Sequence, residues 1–121
     1  MTAGFDLESA EIAKKAVQAA LDKQASDILM LDIGPLSSFA DYFVLCSADS
    51  ARQIHAICDA IDEALTGEKG IHLYRREGTD DSGWVVLDFG PVIVHVFGAP
   101  QREYYEIEKL WSKAPPVVRI L

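Results

Sequence analysis

The chain has 121 residues, the length of one domain, and its 50% hydrophobic and 25% charged residues are typical of a soluble globular fold. Its 19 acidic and 11 basic side chains give a formal net charge of −8 at pH 7. That charge argues against a protein that wraps nucleic acid, since phosphate binding needs a basic face, and it suits a basic protein partner.

No targeting or membrane segment is predicted. No apolar run approaches the ~20 residues needed to span a bilayer. The N-terminal residues, MTAGFDLESAE, are acidic and resemble neither a secretory signal nor a transit peptide, so we expect a cytoplasmic protein. Cys46 and Cys58 lie in apolar runs without zinc-ligand spacing, and we expect both to be buried, reduced thiols.

The first half of the chain predicts a helix, two strands and a second helix. Apolar residues at helical spacing predict the first helix over residues 7–24, with Asp6 as its N-cap. Strands are predicted over residues 27–33 and 42–47, joined by the turn-like segment GPLSSFA. Ser50 and Gln53 form a capping box that opens the second helix, and Gly67 ends it.

A third strand over residues 71–75 and an acidic loop, EGTDDSG, lead into the most apolar stretch, WVVLDFGPVIVHVF, at residues 84–97. This stretch predicts a β-hairpin with Gly90-Pro91 as a two-residue type II′ turn. Positions that sum to 181 then face each other. One face is wholly apolar, with Val85, Leu87, Phe89, Val92, Val94 and Val96, and the other carries Trp84, Val86, Asp88, Ile93, His95 and Phe97.

A last helix is predicted over residues 101–111, because Gly98-Ala99-Pro100 ends the sheet and Pro115-Pro116 cannot continue a helix. We expect Ile107, Leu110 and one edge of Trp111 to face the core. The element order αββαβββα predicts an α/β domain, residues 1–111, with a C-terminal tail, residues 112–121. Its mixed sheet is covered by helices, and the second strand, second helix and third strand form a right-handed crossover between parallel strands.

Asp88 and His95 are the first candidate site. The letters DFG at Asp88 would mark a magnesium ligand in a protein kinase, but this chain is too short to be one. A carboxylate that orients an imidazole is two-thirds of a catalytic triad, yet no serine or cysteine nucleophile is placed nearby. The interpretation we favour is structural, with a half-buried His95 satisfied by Asp88.

The second candidate is GPLSSFADYFVLCS, which looks like a degraded nucleotidyltransferase signature. That chemistry needs two carboxylates two residues apart to hold magnesium. Asp41 occupies the first position, but Phe43 occupies the second and cannot bind a metal. A metal site is therefore not expected. The third candidate is the acidic loop beside Trp84, because aromatic residues among carboxylates suit a basic protein partner.

The segment GWVVLDFGPVIVHVFGAPQREYYEIEKLW resembles the Iojap family, the ribosomal silencing factors (RsfS-like). ASDILMLDI, SFADYFVLCSADSARQI and the Glu77-Gly78 pair carry the same resemblance, which extends over residues 7–111. It implies a nucleotidyltransferase-like fold without catalytic residues, in keeping with Phe43 at the would-be ligand position.

The resemblance also implies a function. The family binds the large ribosomal subunit at ribosomal protein L14 and sterically blocks the small subunit, which represses translation under nutrient limitation. It implies no enzyme activity, no cofactor and little contact with nucleic acid, and it leaves homodimer formation by the free protein open. The partner-binding residues that it implies are Glu77, Gly78, Asp81 and Trp84, with Tyr105 and Glu106 of the last helix.

The sequence departs from the family pattern in three places, at Gly83, at Pro91 and in the PPVVRIL tail. The first two affect details of the implied interface. An enzyme is the alternative from a different class, with residual nucleotide binding or nucleotidyl transfer that uses Asp41 and Asp88.

Overall fold

The computed structural model describes the backbone of residues 2–68 and 70–121. It describes the side chains of residues 9–68 and 70–121. Its helices are α1 (Thr2–Asp22), α2 (Ala51–Thr66), α3 (Ala99–Tyr105) and α4 (Ile107–Leu110). Its strands are β1 (Ser26–Asp32), β2 (Tyr42–Ala48), β3 (Arg75–Glu77), β4 (Trp84–Asp88), β5 (Val92–Gly98) and β6 (Pro116–Ile120). Single 3-10 turns lie at Gly34–Leu36 and Asp80–Ser82. Within the described ranges, no helix is long and apolar enough to cross a bilayer.

The strands form one mixed sheet in the order β3-β4-β5-β2-β1-β6. β2 and β5 are parallel neighbours, and the other neighbouring pairs are antiparallel. β2 and β3 run in the same direction, as predicted, but β4 and β5 lie between them. The two central strands, β5 and β2, are apolar and largely buried on both faces, whereas the exposed, three-residue β3 pairs only with β4 at the edge.

The hairpin prediction is confirmed residue by residue. Trp84 faces Phe97 and Asp88 faces Ile93, which is the register of a two-residue loop. Gly90 has φ +91°, a left-handed conformation that favours glycine at the turn. The predicted apolar face is buried against α1 and α2, and its residues are Val85, Leu87, Phe89, Val92, Val94 and Val96.

The first two helices differ little from prediction. α2 begins after Ser50, whose side chain accepts a hydrogen bond from the Gln53 amide, and it ends at Thr66, just before Gly67. α1 begins at Thr2, so Asp6 lies inside it and is not its N-cap, and the Asp6 side chain lies outside the described part. Cys46 and Cys58 are buried, and burial raises the pKa of each thiol to about 12, as expected for unreactive thiols.

The predicted third strand is largely wrong. Ile71 and Leu73 are partly buried against the core without joining the sheet, and β3 pairs with β4 only from Arg75 to Glu77. Hydrophobic alternation identified residues that pack, but it could not tell packing on the core from pairing in a ladder.

The last helix is also interrupted. Glu106 adopts a left-handed conformation, with φ 49° and ψ 47°, and this separates α3 from α4. The break rotates α4 relative to the predicted continuous helix. Ile107 and Trp111 still pack on the core, but Leu110 is 77% exposed and not a core residue.

The segment set apart as a tail contributes to the sheet. Residues 116–120 form β6, which pairs antiparallel with β1, so that Ile28 faces Ile120 and Met30 faces Val118. Val118 and Ile120 are partly buried against the core beneath α1. α4 ends at Leu110, before the two prolines, and Pro116 is the first residue of the edge strand β6.

Candidate docking surface

The second face of the sheet is only partly covered. α3, α4 and the following turn cover its centre, where Leu29, Leu31, Phe43, Leu45 and Phe97 are buried. No described helix covers the part over β3 and β4 in the same way, and Val86 of β4 and the neighbouring Ile93 of β5 are only half-buried. An apolar sheet face that is left partly open is a candidate for binding a partner.

Trp84 stands at the boundary between the covered and the open part. Its ring stacks on Phe97 with centroids 5.0 Å apart and lies 4.7 Å from the ring of Tyr105. Its indole Nε1 donates a hydrogen bond of 3.2 Å to Nδ1 of His95. The indole is thus held in position by three side chains, although the residue is only half-buried.

His95 is 7% exposed and accounts for the orientation of Trp84. Burial, and then the nearby Arg102 guanidinium, lower the pKa of His95 to about 4, so the imidazole is neutral at pH 7. Because an indole N–H can only donate, Nδ1 of His95 must accept and the ring proton lies on Nε2. His95 therefore serves as a fixed acceptor for Trp84.

Asp88 does not satisfy His95, and that prediction is wrong. The Asp88 carboxylate accepts a 2.8 Å hydrogen bond from the Gly90 amide and so closes the hairpin turn. The register places His95 opposite Val86, with Asp88 and Trp84 on its two diagonals. The indole of Trp84 has the longer reach, and its Nε1 donates to Nδ1 of His95.

Gly78 and Glu77 line a shallow pocket of about 260 Å³ together with Trp84 and Val86. Gly78 has φ +87°, and a Cβ at this position would collide with the Trp84 carbonyl oxygen. Glu77 is exposed and pairs with Arg75 at 3.0 Å. Glycine is therefore required here for the close approach of the loop to β4.

The remaining predicted site residues lie elsewhere. Asp81 lines a separate depression with Ser50 and Gln101. Glu106 pairs with Lys109 at 3.0 Å and borders another pocket. The structure thus brings together Glu77, Gly78, Trp84 and Tyr105, but not Asp81 or Glu106.

The acidic loop is tied to α2 instead of being free in solvent. His55 contacts Asp80 at 2.9 Å and Asp59 at 3.0 Å, and Arg76 contacts Asp80 at 3.2 Å. Thr79 caps the 3-10 turn by accepting a hydrogen bond from the Ser82 amide. These contacts fix the loop that precedes Trp84.

The aromatic contacts continue beyond Trp84 in a row that sequence reasoning missed. The aromatic row consists of Tyr104, Tyr105, Trp84, His95, Phe43, Trp111 and Phe39, with neighbouring ring centroids 4.7 to 6.1 Å apart. Its two ends are the most exposed, with Phe39 at 59% and Tyr104 at 80%. The sequence offered one signal for this row, the aromatic Phe39 inside the otherwise turn-like segment GPLSSFA.

The nucleotidyltransferase-like region has no complete metal-binding set among the described side chains. Asp41 and Asp32 line a pocket of about 260 Å³ with Gly34 and Tyr42. The Asp41 carboxylate accepts a hydrogen bond of 2.9 Å from Ser9, and that of Asp32 accepts one from the Gly34 amide. Phe43 belongs to the aromatic row, and Asp88 closes the hairpin turn.

A family model described as "Ribosomal silencing factor during starvation" matches residues 6–120. The chain belongs to this family. The Ribosomal silencing factor RsfS of Bacillus subtilis is 45% identical over 104 residues, 86% of this chain and 87% of that protein. Mitochondrial assembly of ribosomal large subunit protein 1 of Mus musculus is 33% identical over 92 residues, 74% of this chain and 40% of that protein.

A solved structure agrees with the family assignment. The crystal structure of a protein from Chromobacterium violaceum superposes with a TM-score of 0.81 at 35% identity and covers 85% of both chains. The resemblance found in the sequence and the mixed α/β fold are thereby confirmed. The ribosomal silencing factors are ribosome-associated regulators of translation, named for silencing and not for an enzymatic reaction.

Proposed function

We propose that the chain binds the large ribosomal subunit through ribosomal protein L14 and sterically blocks joining of the small subunit. Translation would thereby be repressed in the cytoplasm when nutrients are limiting. The observation that carries this proposal is the half-buried Trp84, fixed by His95, Phe97 and Tyr105 beside an open apolar sheet face. Membership in the silencing factor family, and the large-subunit name of the mouse relative, support the choice of partner.

The surface around Trp84 has the properties of an interface anchor. Tryptophan and tyrosine supply large contact areas with few rotatable bonds, and they are enriched among residues that dominate binding energy. Trp84 and Tyr105 contact each other, and Val86 and Ile93 extend the apolar area over the neighbouring strands. Glu77 and Gly78 form one wall of the pocket beside them.

Charge favours a basic protein as the partner. The formal net charge of −8 attracts a basic surface over a distance of about one Debye length, roughly 8 Å at physiological salt. It also disfavours direct contact with ribosomal RNA, whose phosphates repel carboxylates. Asp81 and Glu106, which lie away from the Trp84 pocket, would contribute at the rim through association rate more than through contact energy.

Steric exclusion requires a correctly placed protein and no chemical step. The action then needs no cofactor, and its strength depends on occupancy of the large subunit. A homodimer of the free protein, if it uses the same open face, would compete with docking.

Cosedimentation with separated ribosomal subunits tests the proposal. We expect the protein to migrate with the free large subunit, and not with the small subunit. Prior addition of the protein should lower the yield of joined ribosomes when small subunits are added. Equal recovery with both subunits, or normal joining at full occupancy, would contradict the proposed function.

A further inference from the structure

We propose that Arg102 is a positioning residue of the docking surface, because its guanidinium sets the place of Tyr105 against Trp84. This inference rests on the proposed function, in which Trp84 is the anchor. Arg102 lies in α3 and is only 5% exposed, and an arginine is rarely buried to this extent unless its charge is paired. Its nitrogens contact β1, β2 and α4.

The Arg102 guanidinium joins α3 to two strands of the sheet. Its Nη1 donates hydrogen bonds of 2.8 Å to the Asp27 carbonyl oxygen in β1 and of 2.9 Å to the Ser47 hydroxyl oxygen in β2. Its Nη2 lies 3.6 Å from the Asp27 carboxylate. Hydrogen bonds from a charged donor are stronger than those between neutral groups, so these contacts fix α3 firmly to the sheet.

The same side chain also holds α4 relative to α3. Arg102 Nε donates a 2.9 Å hydrogen bond to the Glu108 carboxylate of α4. In a continuous helix, residues six positions apart lie about 9 Å apart along the axis and about 120° apart around it, so the two side chains would not face each other. The left-handed Glu106 interrupts the helix between them and brings Glu108 within reach of Arg102. The ion pair therefore depends on the break and in turn stabilises it.

The position of α3 determines where the Tyr105 ring lies. Tyr105 is the last residue of α3, and its ring centroid lies 4.7 Å from that of Trp84. Because Tyr105 is 46% exposed, the placement of α3 keeps its ring against the indole. Second to burial, the Arg102 guanidinium also lowers the pKa of His95 to about 4, which favours the neutral imidazole that accepts from Trp84. Arg102 thus supports the anchor without belonging to its surface.

The first test uses the free protein and follows the exchange of the Trp84 indole N–H with solvent deuterium by NMR. The rate is expressed relative to that of the Val94 amide, because Val94 is buried in a central strand and its amide reports on global unfolding. We expect Arg102→Met to speed indole exchange at least about fivefold on this relative scale. Glu108→Gln, a milder change that weakens only the contact to α4, should speed it at least about twofold.

Arg119→Met is the matched control. Arg119 lies in β6, and its Nη2 is 3.7 Å from the Asp27 carboxylate, so the variant removes the same charge beside the same acid without altering the contacts of α3 to β2 and α4. We expect its relative indole exchange to equal that of the wild type.

The second test measures the affinity for purified large subunits, expressed per folded molecule. We expect Arg102→Met to weaken binding at least about fivefold in the wild-type background but less than about twofold in a Tyr105→Ala background. The reason is that a residue that acts through Tyr105 has nothing left to position once the ring is gone. Arg119→Met should bind as the wild type does.

Unchanged relative exchange in Arg102→Met, or an equal increase in Arg119→Met, would overturn the inference whatever the binding result. Faster exchange with wild-type affinity would also overturn it, since Arg102 would then serve the fold alone. An equal loss of affinity in both backgrounds would overturn the action through Tyr105. If the wild-type protein does not bind large subunits, the proposed function fails, and indole exchange still decides whether Arg102 positions Tyr105 against Trp84.

Discussion

We expect replacement of Trp84 by alanine to lower both stability and binding, and the contacts of the indole set the size of the stability loss. Truncation of a fully buried tryptophan to alanine costs about 3–5 kcal/mol of stability. Truncation of the half-buried Trp84 should therefore cost roughly 2 kcal/mol. Removal of the indole also leaves Nδ1 of His95 buried without its donor, which costs about 1–3 kcal/mol. We expect the free energy of unfolding to fall by about 3 kcal/mol.

The effect on binding must be separated from this loss. As a central anchor, Trp84 should contribute ~2 kcal/mol or more, which is roughly thirtyfold in affinity. Chemical denaturation gives the folded fraction of each variant, and titration with large subunits gives the affinity per folded molecule. Trp84→Phe is the matched variant, since it keeps ring contacts with Phe97 and Tyr105 but cannot donate to His95.

We expect Trp84→Ala to weaken binding far more than Asp81→Asn, whose effect should appear mainly in the association rate and its dependence on salt. Trp84→Phe should lie between wild type and alanine. If the affinity per folded molecule of Trp84→Ala equals that of wild type, Trp84 is a structural residue only. The docking surface must then be sought elsewhere, first on the exposed side of α3 and α4.

His95 gives a prediction about pH: its folded pKa of about 4 lies below the ordinary 6.5, so its contribution to stability is fully present above pH ~6.5 and is lost as pH falls toward 4. Wild type should lose ~2 kcal/mol more than His95→Gln between pH 7 and 5, and equal losses would contradict a buried neutral imidazole. His95→Ala should lower the melting temperature, while the folded protein still binds the large subunit. An unchanged melting temperature with abolished binding would make His95 a contact residue. Gly78→Ala should cost several kcal/mol, because its Cβ meets the Trp84 carbonyl, whereas Gly70→Ala, with φ +90° and open space, should cost only ~1 kcal/mol of backbone strain. Equal melting temperatures of the two glycine variants would contradict a collision between the added Cβ of residue 78 and the Trp84 carbonyl oxygen.

The hairpin was predictable because two local signals agree. Alternation of apolar residues over β4 and β5 sets the faces, and Gly90-Pro91 sets the loop length and therefore the register. Once the register is known, the burial of Val85 and Val94 and the position of Trp84 opposite Phe97 follow without further information.

The site was less predictable, because it depends on contacts between distant segments. Nothing local shows that Glu106 takes a left-handed conformation, so the exposure of Leu110 could not be foreseen. Phe39 lies in a turn, and its contact with Trp111 requires the residue after α4 to pack against Phe39 and Phe43 near the start of β2. The partner of His95 was misassigned because two diagonal neighbours compete, and side-chain reach decides between them.

The neutral His95 holds Trp84 in one orientation before any partner docks, which would strengthen Trp84 as the proposed anchor. A tryptophan that is free to rotate must lose side-chain freedom when it docks, which costs about 0.5–1.5 kcal/mol. Trp84 has already lost that freedom in the folded chain, since His95 accepts from its indole and Phe97 and Tyr105 contact its ring. The ordering is therefore part of folding and not of binding. It follows that variants of His95 should act on ribosome affinity only through the mobility of Trp84, and Trp84→Phe should make affinity insensitive to substitution of His95.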